Sequence, residues 1–308
     1  MEFFPPNTNF DFVGKQKWAL TISSVLILIT IISLAIHHGP RYGVDFSGGL
    51  LIQVKFSQAV TPDEVKEKLK TINLQDSVVQ EFGEKGQNEF LIRSREENIN
   101  LENIQQTVAK TLSEGFGENK VELRRIETVG PKAGKDLRKM GMLAVISSWI
   151  LMLIYVAFRF EFSFGVGGII SLAHDVIVVL GAFSLTNREI DLTIIAAFLT
   201  IIGYSINDTI VIFDRVRENR RKRPNEPLPL LINRSINETL SRTILTVLTV
   251  LIGVITLLVF GGGVIHDFAF AMLIGVITGT WSSLYIASPF VLFWDRYTKA
   301  RKRKLIRK

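Results

Sequence analysis

Six long apolar runs constrain the fold of this chain more than any other feature of its sequence. A helix of about 20 predominantly apolar residues is long enough to cross the hydrocarbon core of a bilayer, and each run is close to that length. We therefore predict a membrane α-helical protein with six transmembrane helices. The predicted spans are residues 18–36, 140–158, 162–185, 190–213, 240–260 and 268–294.

The composition indicates a membrane protein that also has a water-exposed part. Hydrophobic residues make up 47% of the chain, which is high for a soluble domain, and charged residues make up 21%, too many for membrane spans alone. The net charge of +7 comes from basic residues beside the apolar runs, without the interleaved aromatic residues that would stack on bases. We therefore expect contact with membrane lipid and no nucleic-acid partner.

The sequence carries no signal for enzymatic chemistry or for a bound cofactor. It contains no cysteine, and its four histidines are scattered without the spacing of a metal site. Neither a phosphate-binding glycine loop nor a nucleophile–base arrangement is present. We predict that the chain is not an enzyme and binds no metal or cofactor, and that a transmembrane gradient supplies any energy it uses.

Residues 41–129, between the first and second spans, have a soluble composition. Their strand and helix patterns follow the order β-α-β-β-α-β, which is the ferredoxin-like arrangement. The clearest local signal is the capping box Thr61-Pro62-Asp63-Glu64, with proline at the first helical position. We therefore predict a small ferredoxin-like α+β domain outside the cytoplasm, attached to the membrane helices.

The distribution of basic residues predicts the orientation in the membrane. Segment 214–239 contains seven Lys and Arg residues and the tail 295–308 contains eight, whereas the short loops on the other side hold few. Lys and Arg concentrate in cytoplasmic segments of membrane proteins. We predict that residues 1–17, the loop 214–239 and the tail are cytoplasmic, and that 41–129 is on the opposite side.

A carboxylate, Asp208, lies inside the fourth predicted span. Placing a charge at the centre of a membrane helix costs about 2.5–3.5 kcal/mol on insertion scales, so such a residue usually marks a substrate or ion pathway. The alternative is that Asp208 lies close enough to the surface to stay hydrated, with Asn207 and Thr209 as polar packing neighbours. We favour the functional interpretation.

Arg242 lies in the first turn of the fifth predicted span. At 1.5 Å per residue, its depth in the membrane differs from that of Asp208 by roughly 10 Å or less, so an ion pair between the two helices is feasible. A carboxylate that is alternately paired with this arginine and released from it can bind and release a proton. Alternatively, Arg242 extends its side chain to lipid headgroups, as basic residues at helix ends often do.

The pair His174-Asp175 lies about 20 Å into the third predicted span. Together with Asn207 and Asp208 it is a candidate for a stepped proton path through the helices. The alternative is structural, because buried polar pairs also join membrane helices through hydrogen bonds. The sequence alone leaves both interpretations open.

Five short motifs carry a resemblance to a known family. They are Gly43-Val44-Asp45-Phe46-Ser47-Gly48-Gly49, Val129-Gly130-Pro131, Leu172-Ala173-His174-Asp175, Asn207-Asp208 and Gly275-Val276-Ile277-Thr278-Gly279-Thr280-Trp281-Ser282-Ser283. Combined with one span, an outside domain and five further spans, they make the chain resemble the SecD/SecF family. That family belongs to the resistance-nodulation-division superfamily of proton-driven transporters.

The resemblance implies a function in protein export across the bacterial inner membrane. It implies pairing with a SecD-like subunit, association with the SecYEG channel, with other accessory translocase subunits as further candidate partners, and use of the proton-motive force to move unfolded preproteins. In that family, proton coupling is tied to an aspartate and an arginine that map onto Asp208 and Arg242. Two alternatives stay open: a half-transporter that exports a lipid or small solute, and a purely structural assembly factor of the translocase.

Overall fold

The computed structural model describes residues 8–72, 74, 77–82, 87–94, 104–117, 120–261 and 263–306. Residues 1–7 of the predicted N-terminal segment and 307–308 of the predicted tail lie outside the described residues. The helices are α1 Gln16–Ile36, α2 Val44–Ser47, α3 Pro62–Lys70, α4 Ile104–Phe116, α5 Pro131–Arg159, α6 Phe162–Leu185, α7 Leu192–Lys222, α8 Leu228–Phe260, α9 Gly263–Ser282 and α10 Ser288–Ile306. The strands are β1 Gly49–Phe56, β2 Val78–Glu81, β3 Glu89–Ser94 and β4 Val121–Val129, and a π-helical turn, Ser283–Ala287, joins α9 to α10.

Six helical segments of the described chain are long and apolar enough to cross a membrane, which confirms the predicted six-helix architecture. They are α1, α5, α6, α7, α8 and the continuous segment from α9 to α10. The most apolar stretches of α6, α7 and the last segment are 61%, 50% and 61% buried, against 22%, 11% and 17% for α1, α5 and α8. Helices α6, α7 and the α9–α10 segment therefore form the centre of the bundle, and α1, α5 and α8 surround them.

The helices extend further than the apolar runs that predicted them. Helix α7 continues to Lys222 and α8 already begins at Leu228, so most of the segment predicted as a loop, 214–239, is helical. Hydrogen bonds hold the two extensions together, from Asn219 Nδ2 to Ser235 Oγ (3.0 Å) and from Arg215 Nε to Glu238 Oε2 (2.6 Å). An apolar run measures the thickness of the membrane, whereas the helix itself ends where prolines and caps stop it.

The soluble part between α1 and α5 has the predicted β-α-β-β-α-β order. Its four strands form a sheet in the order β2-β3-β1-β4, and every neighbouring pair is antiparallel. Alternate residues of β1 point into the core, where they meet the buried faces of α3 and α4. The capping box forms as expected, with Thr61 Oγ1 accepting from the Glu64 amide and Glu64 Oε2 accepting from the Thr61 amide.

Two glycine-containing motifs meet where this domain joins the membrane helices. Gly48 has a φ of 77°, a left-handed conformation that favours glycine. A Cβ at Gly134, in the first turn of α5, would lie 3.0 Å from the Phe46 carbonyl oxygen and 2.9 Å from the Gly48 nitrogen. Backbone contact this close fixes the short helix α2 against α5, and so fixes the base of the domain on the bundle.

The N-terminal segment is held against the first turns of α8 by two asparagines one turn apart. Asn233 Oδ1 accepts from the Phe12 amide (2.8 Å) and Asn237 Oδ1 accepts from the Phe10 amide (2.8 Å). Both side-chain amides also donate to the Phe10 carbonyl, at 3.0 and 2.9 Å. The buried Phe12 side chain joins a core cluster with Ile212 of α7. The segment therefore ties the start of α1 to α7 and α8.

We expect the double substitution Asn233→Ala and Asn237→Ala to release this segment. Each side-chain hydrogen bond contributes about 0.5–1.5 kcal/mol, so losing these four raises the population of the open form by roughly 30-fold or more. Cleavage by trypsin after Lys15, measured by mass spectrometry, should accelerate accordingly. Asn225→Ala, in the connection between α7 and α8, is the matched control, and equal cleavage of the two variants would contradict the prediction.

Candidate functional site

Helix α7 places Asp208 on its buried face and Asn207 on its exposed face. Asp208 is only 3% exposed. Among the residues that the structure describes, neither Asp208 Oδ2 nor the hydroxyl of Tyr204, one turn away, has a hydrogen-bond partner. Burying an unpartnered carboxylate is costly, and a bound proton or water molecule relieves that cost. Asp208 is therefore a buried carboxylate whose Oδ2 accepts no hydrogen bond from the described part of the chain.

Arg242 of α8 is exposed and faces the same region of the bundle. Its charge acts on Asp208, yet no ion pair joins their side chains within the described part of the chain. The ion pair considered from the sequence is thus not formed in this conformation. A modest movement of α7 against α8 would change the distance between the two charges.

A cleft of about 1080 Å³ lies beside this pair and opens on the side of the bundle that carries the basic segments, called here the basic side. Asn207 and Arg242 both line it, so it leads to the neighbourhood of Asp208. Its mouth is lined by charged side chains of α5, α7 and α8. These are Arg159, Asp214, Arg215, Arg217, Glu218, Arg221, Lys222 and Glu238. Water and ions therefore have access to Arg242 from the basic side.

Asp175 occupies a different kind of site. It is completely buried, and its Oδ2 accepts hydrogen bonds from Ser205 Oγ of α7 (2.7 Å) and Ser282 Oγ of α9 (2.9 Å). Its Oδ1 lies 3.1 Å from Nδ1 of His174. One carboxylate thus joins the three central helices. This geometry favours the structural alternative for the His174-Asp175 pair.

The hydroxyl network continues beyond Asp175 toward the π-helical turn. Thr209 and Ser283 form a hydroxyl–hydroxyl hydrogen bond of 2.8 Å, and Ser283 Oγ also donates to the Ser205 carbonyl at 3.4 Å. Sequence reasoning gave Ser205 and Ser282 no role in a site. Ser205 lies one turn before Thr209 on α7, and Ser282 lies in the motif 275–283, but small polar residues in membrane helices usually indicate packing.

Comparison with known proteins identifies the family. A model described as "Protein export membrane protein SecD/SecF, C-terminal" matches residues 107–297, and one described as "SecD/SecF GG Motif" matches residues 34–60. Protein translocase subunit SecF of Calditerrivibrio nitroreducens is 43% identical over 294 residues, covering 94% of this chain and 96% of that protein. The chain belongs to the SecF family. The same-named protein of Magnetococcus marinus is 43% identical over 298 residues, covering 96% and 95%.

A solved structure extends the similarity to three dimensions. The crystal structure of SecDF from Thermus thermophilus, described as a translocon-associated membrane protein, superposes with a TM-score of 0.83 at 34% identity. The match covers 96% of this chain but only 40% of that longer chain. The fold is therefore that of a SecDF half, and the chain is a multi-pass protein translocase subunit with a role in protein translocation.

Proposed function

We propose that this translocase subunit uses the proton-motive force to assist polypeptides across the bacterial inner membrane. The observation that carries the proposal is the buried carboxylate of Asp208, whose Oδ2 has no hydrogen-bond partner among the described residues, next to the charge of Arg242 and to a polar cleft. In the orientation that we propose, the basic side and both termini face the cytoplasm, and residues 41–129 face the periplasm. The excess of Lys and Arg on the basic side supports that orientation.

The proposed cycle begins with proton binding at Asp208. Neutralising the carboxylate removes its attraction to Arg242, so the preferred distance between α7 and α8 changes. A proton that moves through 100 mV supplies about 2.3 kcal/mol, and a pH difference of one unit adds about 1.4 kcal/mol. These free energies are large enough to shift a two-state equilibrium between helix arrangements.

A SecD-like subunit is the partner that the exposed face of α7 fits. This face presents Ala196, Thr200, Gly203 and Asn207 at helical spacing. A Cβ at Gly203 would have no neighbour within 4 Å among the described residues. Small and polar residues of this kind mark helix–helix interfaces in membranes, since they allow close approach. The match to part of a longer SecDF chain supports the pairing. SecYEG and an unfolded preprotein are the further partners we propose.

Export of a lipid or small solute by a half-transporter is less well supported. The described part of the outside domain is small, with one four-stranded sheet and two helices packed on it, and the full-length relatives are named as SecF subunits. A purely structural assembly factor would not require a buried carboxylate such as Asp208, whose Oδ2 has no hydrogen-bond partner among the described residues.

Preprotein export into inverted membrane vesicles tests the proposal. Vesicles that contain the chain, a SecD-like subunit and SecYEG should export faster with a proton gradient than without one. Vesicles that lack only this chain should lose that difference. Equal export with and without the gradient in the complete vesicles would overturn proton coupling and favour the assembly-factor alternative.

A further inference from the structure

The connection that leads into the outer end of α7 is bound to the base of the soluble domain by backbone hydrogen bonds. The connection between α6 and α7, residues 186–191, runs beside residues 41–43. The Ile190 amide donates to the Arg41 carbonyl, and the Gly43 amide donates to the Ile190 carbonyl, both at 2.8 Å. Tyr42 and Ile190 thereby form a β-bridge. The connection that leads into the helix carrying Asp208 is thus in direct contact with the domain.

Side chains cap the same end of α7. Asp191 Oδ1 accepts from the Ile194 amide (3.0 Å), and Asp45 Oδ2 from short helix α2 accepts from the Leu192 amide (3.0 Å). Two carboxylates therefore bind the free amides at the start of the helix, where negative charge is favourable. Because these contacts fix the first turn, a displacement of α7 is passed to the connection and to α2.

Glu189 extends this contact from the base of the domain to its sheet. Its carboxylate is 10% exposed and lies 3.0 Å from Nη1 of Arg93 and 3.3 Å from Nε of Arg41. Arg93 lies on β3, which pairs with both β1 and β2. Charge-assisted hydrogen bonds in a largely desolvated setting are stronger and more directional than exposed ion pairs. Glu189 therefore links the α6–α7 connection, to which it belongs, to an inner strand of the sheet.

The connection that presents Glu189 is itself held in shape. The neighbouring Arg188 contacts Asp267 of α9, and its guanidinium lies 4.4 Å from the ring centroid of Phe270. Asn187 has a φ of 53°, a left-handed conformation that asparagine tolerates. The tight turn and the arginine contact keep Glu189 oriented toward the domain.

We propose that Glu189 is a positioning residue that transmits displacement of α7 to the sheet of the outside domain. This rests on the proposed proton-driven function. Asp208 and Leu192 are sixteen residues apart on one continuous helix, a distance of about 24 Å. A helix of this length moves as a stiff element, so a shift at Asp208 appears at its outer end. Glu189 then carries the shift to Arg93, while the contact with Arg41 keeps the carboxylate oriented.

The test is Glu189→Gln in the complete complex with a SecD-like subunit and SecYEG. We expect gradient-stimulated export to fall by roughly 2- to 30-fold, the range for residues that carry coupling between sites. Asp208-dependent proton uptake and gradient-independent export should remain near wild type, since the proton site is untouched. Glu114→Gln, an exposed glutamate of the same domain, is the matched control. Arg93→Gln should behave like Glu189→Gln, and the double variant should be no worse than either.

A distance measurement tests the contact without relying on export. The chain has no cysteine, so spin labels can be attached after Ser57→Cys in the domain and Val259→Cys at the outer end of α8. We expect the distance distribution to be broader in Glu189→Gln than in wild type, with an unchanged melting temperature. An unchanged distribution together with normal stimulation would overturn the proposed role of Glu189. If the wild-type complex shows no gradient-stimulated export, the proposed proton coupling is wrong. If the distance distribution is equally narrow in wild type and Glu189→Gln, Glu189 does not hold the domain in place, and the proposed role of the contact is wrong as well.

Discussion

Asp208→Asn is expected to abolish the gradient-stimulated component of export and to leave the gradient-independent component intact. Asparagine has nearly the same shape but cannot bind and release a proton at neutral pH. It also removes the charge that Arg242 attracts, so the helices would stay in the arrangement of the protonated state. The measurement is preprotein export into inverted vesicles with and without a proton gradient, at equal levels of assembled complex.

Asp295→Asn provides the matched control for this experiment. Asp295 lies on α10 and pairs with Lys299 at 2.7 Å on the basic side of the bundle, so the same chemical change is made at a surface carboxylate. We expect this variant to keep full gradient stimulation. If Asp208→Asn also keeps it, Asp208 is not the coupling residue. Loss of complex formation in Asp208→Asn would instead indicate a structural role.

Proton uptake provides an independent readout of the same substitution. In vesicles with an imposed gradient, the wild-type complex should show a proton flux that disappears in Asp208→Asn. Glu189→Gln is expected to retain that flux while losing stimulation of export. The two variants therefore separate proton binding from its transmission to the domain.

The helical architecture and the pair Asp208 and Arg242 could be predicted from the sequence. A carboxylate within an apolar run stands out whatever the fold, which is why Asp208 was identified, and Arg242 followed from its depth on the next helix. The order of elements in the soluble domain followed from alternation, a capping box and turns, all of which are local signals. The sheet order was then fixed by the ferredoxin-like arrangement.

Contacts between distant segments could not be predicted in this way. The partners of Asp175 come from two other helices. When a helix is buried on most sides, its apolar pattern does not show which residues face which neighbouring helix. Glu189 read as an ordinary loop residue, because its partner Arg93 lies almost one hundred positions earlier. Both sites depend on packing that only the folded chain defines.

Asp175→Ala is expected to destabilise the bundle. It removes the acceptor of two interhelical hydrogen bonds, which contribute about 0.6–1.7 kcal/mol each in membrane proteins, and it leaves a cavity among three central helices. His174 also loses its contact with the carboxylate. We expect the thermal unfolding midpoint in detergent to fall by several degrees, and complex levels in the membrane to fall with it.

Asp175→Asn distinguishes a structural role of this residue from a place on the proton path. The amide oxygen can take the place of Oδ2 and still accept from both Ser205 and Ser282, with the amide nitrogen facing Nδ1 of His174, so the three helices remain joined. We expect near-normal stability and near-normal gradient stimulation, because full burial with hydroxyl partners gives Asp175 the geometry of a structural junction. Normal stability combined with lost stimulation would place Asp175 on the proton path, and coupling would then extend from Asp208 to the centre of the bundle.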